Sequence, residues 1–418
     1  MQYGCIGEHL SHSFSKEIHA ALADYDYILK EIPQDALSAF MTARDFRGIN
    51  VTIPYKQAVI PFLAEVDDAA RAIGAVNTIV NRDGRLCGHN TDFGGMEALI
   101  RRSGIVMQGA KVLVLGTGGT SKTATAAARH MGAAAVYTVS RSGRGGALTY
   151  DGALSVHADA DVLINATPCG MYGNSAGDMP IDPKAFQKLS GVVDAIYHPL
   201  RTPLVLQARK AGATAVGGLY MLVMQAVLAS EIFTGKRCPR ETAEAVYRRI
   251  RLQKENIVLT GMPASGKTTV GRLLAEKLGR PFIDTDEEIV KAAGVDIPTI
   301  FRERGEAAFR DLETQVIKKA GAETGVVIAT GGGAVLREEN VDALRQNGQL
   351  LFLNRPLEQL VPTDDRPLAA SRDAIFKRYS ERFPTYILTA DIAIPAGDTP
   401  AAVAALAERR FFDADLSD

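Results

Sequence analysis

The sequence predicts an α/β protein made of successive domains with parallel sheets. Its length, 418 residues, suits two or three domains. Short apolar runs recur along it, separated by stretches with helical periodicity, the pattern of strand–helix–strand units. Two of these runs, KVLVLG ending at Gly116 and NIVLTG ending at Gly261, lead through a glycine-bearing turn directly into a helical stretch.

Residues 1 to about 100 alternate short apolar runs with helical stretches. From about 110 to 215 the strands of a parallel sheet are KVLVLG, AAVYTVS, DVLINAT and VVDAIYH. A helical stretch covers 240–253, and a second strand series follows at once: NIVLTG, PFIDTD, GVVIATGGG and QLLFLNR. The join at 253–256 has no Gly/Ser-rich or Pro-rich linker. The expected domains are 1–100, 101–218 and 253–418, with helices of about 219–252 completing the first.

Composition narrows the partners. Hydrophobic residues make up 46% and charged residues 23%, with 47 basic against 48 acidic side chains and a net charge of −1. That balance favours neither nucleic acid nor an anionic membrane, and leaves small anionic substrates open. Cys5, Cys87, Cys169 and Cys238 are far apart, with no zinc-ligand spacing, as expected of a reduced compartment. The N-terminus lacks a basic-then-apolar signal pattern. The most apolar run, 215–233, contains Gln225, Ser230 and Glu231, and reads as a buried helix rather than a membrane span. A cytoplasmic protein is expected.

The upstream turn carries Gly116, Gly118 and Gly119, followed by Thr120. A strand–glycine turn–helix unit brings backbone N–H groups to a pyrophosphate at a helix N-terminus, as in a Rossmann-type domain. The third glycine of GxGxxG is replaced by Ser121. Where a ribose 2′-hydroxyl partner would be acidic, the next strand ends instead in Arg141, 25 residues after Gly116. A guanidinium suits a 2′-phosphate, so NADP(H) is the expected cofactor.

Ahead of this turn lie HSFSKEIH, GINVTIPYK, IGAVNTIV and GHNTDFGG; after it come NATPCGMYG and GGLYMLVMQA. Polar clusters beside strands are ordinarily turns and caps. Together and in this order they resemble shikimate dehydrogenase over residues 1 to about 250. The resemblance implies a substrate-binding α/β domain at 1–100 and a Rossmann-type NADP domain at 101–218. Ser13 and Ser15 would hold the substrate carboxylate. Thr52, Asn77, Tyr197 and Gln225 would contact ring hydroxyls and carboxylate. Lys56 and Asp92 would be the catalytic pair: a lysine at a helix start, beside Pro54, protonates the nascent alkoxide while the carboxylate orients it. Thr167 and Gly218 join Gly116, Gly118, Gly119, Thr120 and Arg141 around the cofactor. The family usually has proline at the position of Lys16, and small residues where Thr117, Thr120, Ser121 and Lys122 stand.

The downstream turn, GMPASGKT at 261–268, is a phosphate loop of the GxxxxGK[ST] form between strand and helix. Ala264, Ser265, Gly266, Lys267, Thr268 and Thr269 would surround ATP phosphates, with Lys267 at the β/γ oxygens and Thr268 on magnesium. IDTDEEI places Asp284 and Asp286 at i, i+2, facing the same way if the strand end is extended. Arg310, the triple glycine Gly331, Gly332 and Gly333, Arg366 and Arg382 follow. This set resembles shikimate kinase over about 253–418. It implies that Asp284 holds magnesium through water, Asp286 orients the acceptor hydroxyl, Arg310 and Arg382 clamp its carboxylate, and the glycines let the ring approach. Arg366 would cover ATP and steady the transferring group. Ala264 departs from the glycine frequent there.

The two resemblances share one metabolite. They imply a bifunctional shikimate pathway enzyme: NADPH-dependent reduction of 3-dehydroshikimate to shikimate, then ATP- and Mg2+-dependent phosphorylation to shikimate 3-phosphate. Two other readings stand beside it. One is an NAD-using quinate/shikimate dehydrogenase joined to a different small-molecule kinase. The other is a non-catalytic regulatory binding protein, which would have lost Lys56, Asp92, Lys267 or Asp286; all four are present.

Overall fold

The computed structural model describes residues 2–10, 14–173, 175, 177–360 and 372–414. Two compact units divide the chain between Ile250 and Arg251, a point inside the helix Arg240–Lys254.

The first unit has two sheets. One contains β1 (Tyr3–Gly7), β2 (Tyr27–Glu31), β3 (Gly48–Val51), β4 (Glu65–Val66), β5 (Thr78–Arg82) and β6 (Arg85–His89), in the order β2-β1-β3-β5-β6-β4. β1 pairs in parallel with β2 and β3, whereas β5 pairs antiparallel with β3 and β6. The other is wholly parallel: β7 (Lys111–Leu115), β8 (Ala135–Val139), β9 (Val162–Asn165), β10 (Gly191–Asp194) and β11 (Thr214–Val216), ordered β11-β10-β9-β7-β8. Helices cover such a sheet on both faces, so β7, β9 and β10 are buried along nearly their whole length.

The helices Thr91–Ser103 and Leu219–Thr234 pack closely because glycine lets them. A Cβ on Gly95 would lie 2.7 Å from the Met221 carbonyl oxygen, and one on Gly94 would lie 2.5 Å from Leu228. Met96, Leu99, Val223 and Val227 complete the seam. The apolar run 215–233, expected as one helix, divides: its first residues close β11, and the helix begins at Leu219. Gly217 and Gly218 make the break, their Cα atoms pressed against the Leu200 and Ala195 carbonyls. Among the described residues no helix is long and apolar enough to cross a membrane.

The second unit has one parallel sheet: β12 (Asn256–Thr260), β13 (Phe282–Asp284), β14 (Val327–Ala329), β15 (Gly348–Asn354) and β16 (Ile392–Pro395), ordered β13-β14-β12-β15-β16. In both parallel sheets the glycine-bearing loop leaves the first strand of the series, β7 or β12, where the strand order reverses, the place where doubly wound folds open a crevice.

Candidate active sites

In the first unit, Lys56 and Asp92 come from distant segments. Lys56 follows β3 in a run of turns containing a cis Ile53–Pro54 peptide. No helix starts there, contrary to the sequence expectation: Tyr55 N–H closes a turn on the Thr52 carbonyl, and the Lys56 carbonyl is taken by Val76 N–H at 2.8 Å. Asp92 stands in the first turn of the helix Thr91–Ser103, where a negative charge meets the positive end of the helix dipole. Asn90 caps that helix, its Oδ1 accepting from Phe93 N–H at 3.1 Å. Lys56 Nζ meets Asp92 Oδ2 at 2.6 Å, with both side chains largely buried. Burial pushes the Cys5 thiol up to about 12, so it stays neutral within range of both charges.

The other expected substrate-binding positions of the dehydrogenase come from several elements, and among the described residues none of them lines a cavity with Lys56. Asn77 is buried, and its amide is committed: Oδ1 accepts from Thr91 N–H at 2.7 Å and Nδ2 donates to Thr91 Oγ1 at 3.0 Å. It therefore fixes the start of the Asp92 helix. Gln225 faces Gly95 across the helix seam, with Nε2 donating to the Leu222 carbonyl at 2.9 Å. Tyr197 packs on Phe14 at 5.3 Å between ring centroids, next to buried Ser15. Thr52 N–H bonds the Ile6 carbonyl at the end of β1. Ser13 lies outside the described residues.

Lys56 also lines a cavity of about 1600 Å3 with Gly116, Gly118, Gly119, Thr120, Lys122, Arg141 and Thr167. Gly116 has φ +110°, and a Cβ there would sit 3.1 Å from the Ala166 carbonyl oxygen, so only glycine fits where the β7 and β9 loops converge. Gly118 caps the helix Gly119–His130, leaving its first amides facing the cavity. Ser121, in place of the third glycine, is buried and donates to the Gly116 carbonyl at 2.6 Å, tying the loop from inside. Open helix amides with Lys122 and Arg141 at the rim fit a dinucleotide bearing an extra phosphate. Gly218 is not in this lining; its requirement for glycine is the contact with Ala195.

Sequence reasoning missed the support beneath Thr167. Its hydroxyl and N–H both donate to Asn165 Oδ1, at 2.7 and 3.1 Å. Asn165 Nδ2 in turn donates to both Asp194 oxygens at 3.1 Å, and Thr202 Oγ1 donates to Asp194 Oδ2 at 2.6 Å. Burial pushes the Asp194 carboxyl up to about 6, with Thr202, Ile196 and Asn165 opposing. The signal was present as polar residues interrupting the apolar strands DVLINAT and VVDAIYH. Ser140, Ser142 and Tyr150 also line the cavity and were missed; no spacing marks them.

In the second unit the phosphate loop follows β12. Gly261, Ala264 and Gly266 all have positive φ, at 145°, 64° and 93°. Ala264 thus holds a left-handed position that costs an L-residue roughly 1–2 kcal/mol and that glycine adopts freely. Lys267 opens the helix Lys267–Leu278, and its Nζ donates to the Gly261 and Met262 carbonyls at 2.9 and 2.8 Å. Ser265 Oγ is buried with no partner among the described residues, a donor left over inside a loop shaped for phosphate oxygens. Thr269 follows Thr268 in the first turn of the same helix. Arg355, which sequence reasoning passed over, brings Nη1 to within 3.8 Å of where a Gly266 Cβ would lie.

A separate cavity of about 590 Å3 is lined by Thr268, Asp284, Asp286, Arg310, Glu313, Gly331, Gly332, Gly333 and Arg382. Asp284 and Asp286 both line this cavity, but not from an extended strand. Asp284 closes β13 and caps the helix Thr285–Ala293, Oδ1 accepting from Asp286 N–H at 3.0 Å, so Asp286 is helical. The capping bond wins over strand continuation because it satisfies the first helix amides. The three glycines meet three side chains. Cβ atoms on Gly331, Gly332 and Gly333 would lie 2.6 Å from Asp286 Oδ1, 2.8 Å from Pro263 Cδ and 2.1 Å from Arg310 Nη1. Arg382 Nη1 donates to the Gly332 carbonyl at 3.1 Å, so both guanidiniums converge on this turn. Glu313, also missed, is 1% exposed and holds Arg310 Nη1 at 2.7 Å; burial pushes its carboxyl up and Arg310 opposes. The oxygens of Thr268 and Asp284 are the hard ligands magnesium takes. Arg366 lies outside the described residues.

The geometry can be set beside known proteins. A shikimate kinase family profile matches residues 263–411, and the profile of the shikimate dehydrogenase substrate binding domain matches 5–79. An NADP(+) shikimate dehydrogenase of Clostridium perfringens is 33% identical over 273 residues, covering 60% of this chain and 98% of the relative. One from Dehalococcoides mccartyi is 36% identical over 262 residues, covering 57% and 91%. Among solved structures, shikimate 5-dehydrogenase of Thermus thermophilus in complex with NADP(H) and shikimate superposes with a TM-score of 0.54 at 30% identity, covering 60% of this chain and 99% of that one. A chorismate mutase/shikimate 5-dehydrogenase fusion from Clostridium acetobutylicum gives 0.56 at 32%, covering 59% and 96%.

Proposed function

The chain belongs to the shikimate dehydrogenase family and carries a shikimate kinase domain after it, and on that premise we propose which of its residues perform each half of a two-step reaction. The enzyme is bifunctional: it reduces 3-dehydroshikimate with NADPH and phosphorylates shikimate with ATP and Mg2+. The observation that carries the assignment is the Lys56–Asp92 pair at 2.6 Å, whose lysine lines the same cavity as the glycine loop and Arg141.

NADPH supplies a hydride. The alkoxide that develops on the ketone oxygen needs a proton, and Lys56 carries one at the cavity wall. Asp92 holds that ammonium in place. Ser15, Thr52, Tyr197 and Gln225 contact the ring substituents, while Asn77 acts by fixing the Asp92 helix. Thr167 and the glycine loop position the cofactor, and Arg141 selects its 2′-phosphate. In the second unit, Lys267, Ser265 and the loop amides hold phosphate oxygens, and Thr268 with Asp284 holds magnesium. Asp286 orients the acceptor hydroxyl, and Arg310 and Arg382 take its carboxylate through planar forks. Residues 1–100 with the helices after 218 form the substrate domain, 101–218 the NADP domain and the rest the kinase. The partners are small molecules in the cytoplasm, without nucleic acid or membrane.

Mixing the protein with 3-dehydroshikimate, NADPH, ATP and magnesium should yield shikimate 3-phosphate. Preferred turnover of quinate with NAD would overturn the specificity. Asp286→Asn should abolish phosphorylation and leave ATP affinity intact; a parallel loss of ATP affinity would move Asp286 to the nucleotide side.

A further inference from the structure

We propose that Tyr386 is a positioning residue that releases Arg382 from the protein to the acceptor's carboxylate. The inference rests on the reading of Arg382 as a carboxylate clamp. In the structure Arg382 is already engaged: its Nη1 donates to the Gly332 carbonyl at 3.1 Å. The same oxygen accepts from the Tyr386 hydroxyl. Arg382 and Tyr386 stand one turn apart on the helix Arg372–Thr389, so both reach one target. A carbonyl oxygen has two lone pairs, and both are used.

Gly332 has little freedom to follow a departing partner. Its Cα is pressed against Pro263 of the phosphate loop, where a Cβ would lie 2.8 Å from Pro263 Cδ. Tyr386 is equally fixed: it is 1% exposed and stacks on Phe352 at 5.2 Å with rings 7° apart. Burial pushes its hydroxyl up to about 12, so it remains a protonated donor. When an acceptor carboxylate arrives, Arg382 can turn Nη1 to it without stranding the Gly332 carbonyl, because Tyr386 stays behind. Without that hydroxyl, Arg382 would be the carbonyl's partner in the free enzyme, and binding the acceptor would leave a buried oxygen unsatisfied.

Tyr386→Phe keeps the ring and its stack and removes only the donor. The shikimate KM should rise about three- to tenfold, the range of one neutral hydrogen bond. The kinase kcat, the ATP KM and the dehydrogenase constants should stay within about twofold, since nothing on those paths changes. Arg382→Ala should raise the shikimate KM further, and adding Tyr386→Phe to it should do nothing more. Three results overturn the proposal. A shikimate KM unchanged by Tyr386→Phe but raised by Arg382→Ala would show that Arg382 keeps its bond to Gly332 while binding. Parallel losses in kcat and ATP KM with a lowered Tm would make Tyr386 structural. A shikimate KM indifferent to Arg382→Ala would remove the clamp reading itself.

Discussion

Thr268 Oγ1 donates to Asp284 Oδ2 at 2.7 Å, joining the phosphate loop to the end of β13. With Asp284 also capping the helix that carries Asp286, one carboxylate links the phosphate loop to that helix. Thr268→Val and Asp284→Asn should each weaken the apparent magnesium affinity of the kinase about 10- to 100-fold. A magnesium titration of the phosphorylation rate measures this, with reduction of 3-dehydroshikimate as the internal control. Unchanged magnesium dependence in both variants would remove this pair from the metal site.

Lys56→Ala should lower the dehydrogenase kcat by about 10²–10⁴-fold, the range for general acid assistance. KM should change little, because the interaction grows in the transition state. Kinase activity with added shikimate controls for folding. A raised KM with kcat intact would make Lys56 a binding residue only.

Arg141→Ala should weaken NADPH about ten- to a hundredfold and spare NADH, since only the former carries the 2′-phosphate. Fluorescence titration with each nucleotide decides it. Equal losses for both would mean that Arg141 serves the loop and not the phosphate.

What could be read from sequence, and what could not, follows from the physics. Strands buried on both faces are continuous apolar runs, so β7, β9, β12 and β15 stood out. β11 and β16 did not, being three and four residues long and, for β11, merged into the apolar start of a helix. The glycine loops were evident because backbone geometry demands glycine, yet Ala264 occupies φ +64° all the same. Glu313 reads in sequence as one more acid in a charged helical run. Only the fold shows it buried against Arg310. The helical placement of Asp286 was available in sequence, since an aspartate followed by an acidic first turn is a helix start.

The division point inside the helix Arg240–Lys254 makes a graded prediction. Val246, Tyr247 and Ile250 belong to the core of the first unit. Leu252 packs with Ile257, Val270 and Phe411 in the second, and its carbonyl accepts from Arg280. A kinase fragment starting at 251 should therefore outlast one starting at 253. Losing a buried leucine costs roughly 2–5 kcal/mol, so the later start should melt about 4 °C or more lower. Equal melting temperatures would show that Leu252 contributes nothing there.

Asp194 and His19 set opposing pH dependences on the first unit. Burial holds the Asp194 carboxyl up at about 6, above its unfolded value of 3.8. The folded state therefore binds more protons, and stability from this group is full below 3.8 and is lost as pH rises through about 6. A difference of that size corresponds to roughly 3 kcal/mol. His19 is pushed down to about 3 from 6.5, by burial first, so its neutral form is the folded one. Its contribution is present above 6.5 and is lost as pH falls toward 3. Between about pH 4 and 6 the two slopes partly cancel. Asp194→Asn removes the descending term and keeps a side chain able to accept from Thr202. Its unfolding free energy should then climb more steeply with pH across that window than the wild type's, in denaturant melts of the whole chain followed through loss of dehydrogenase activity. Parallel curves for the two proteins would show that Asp194 is ionised in the fold throughout.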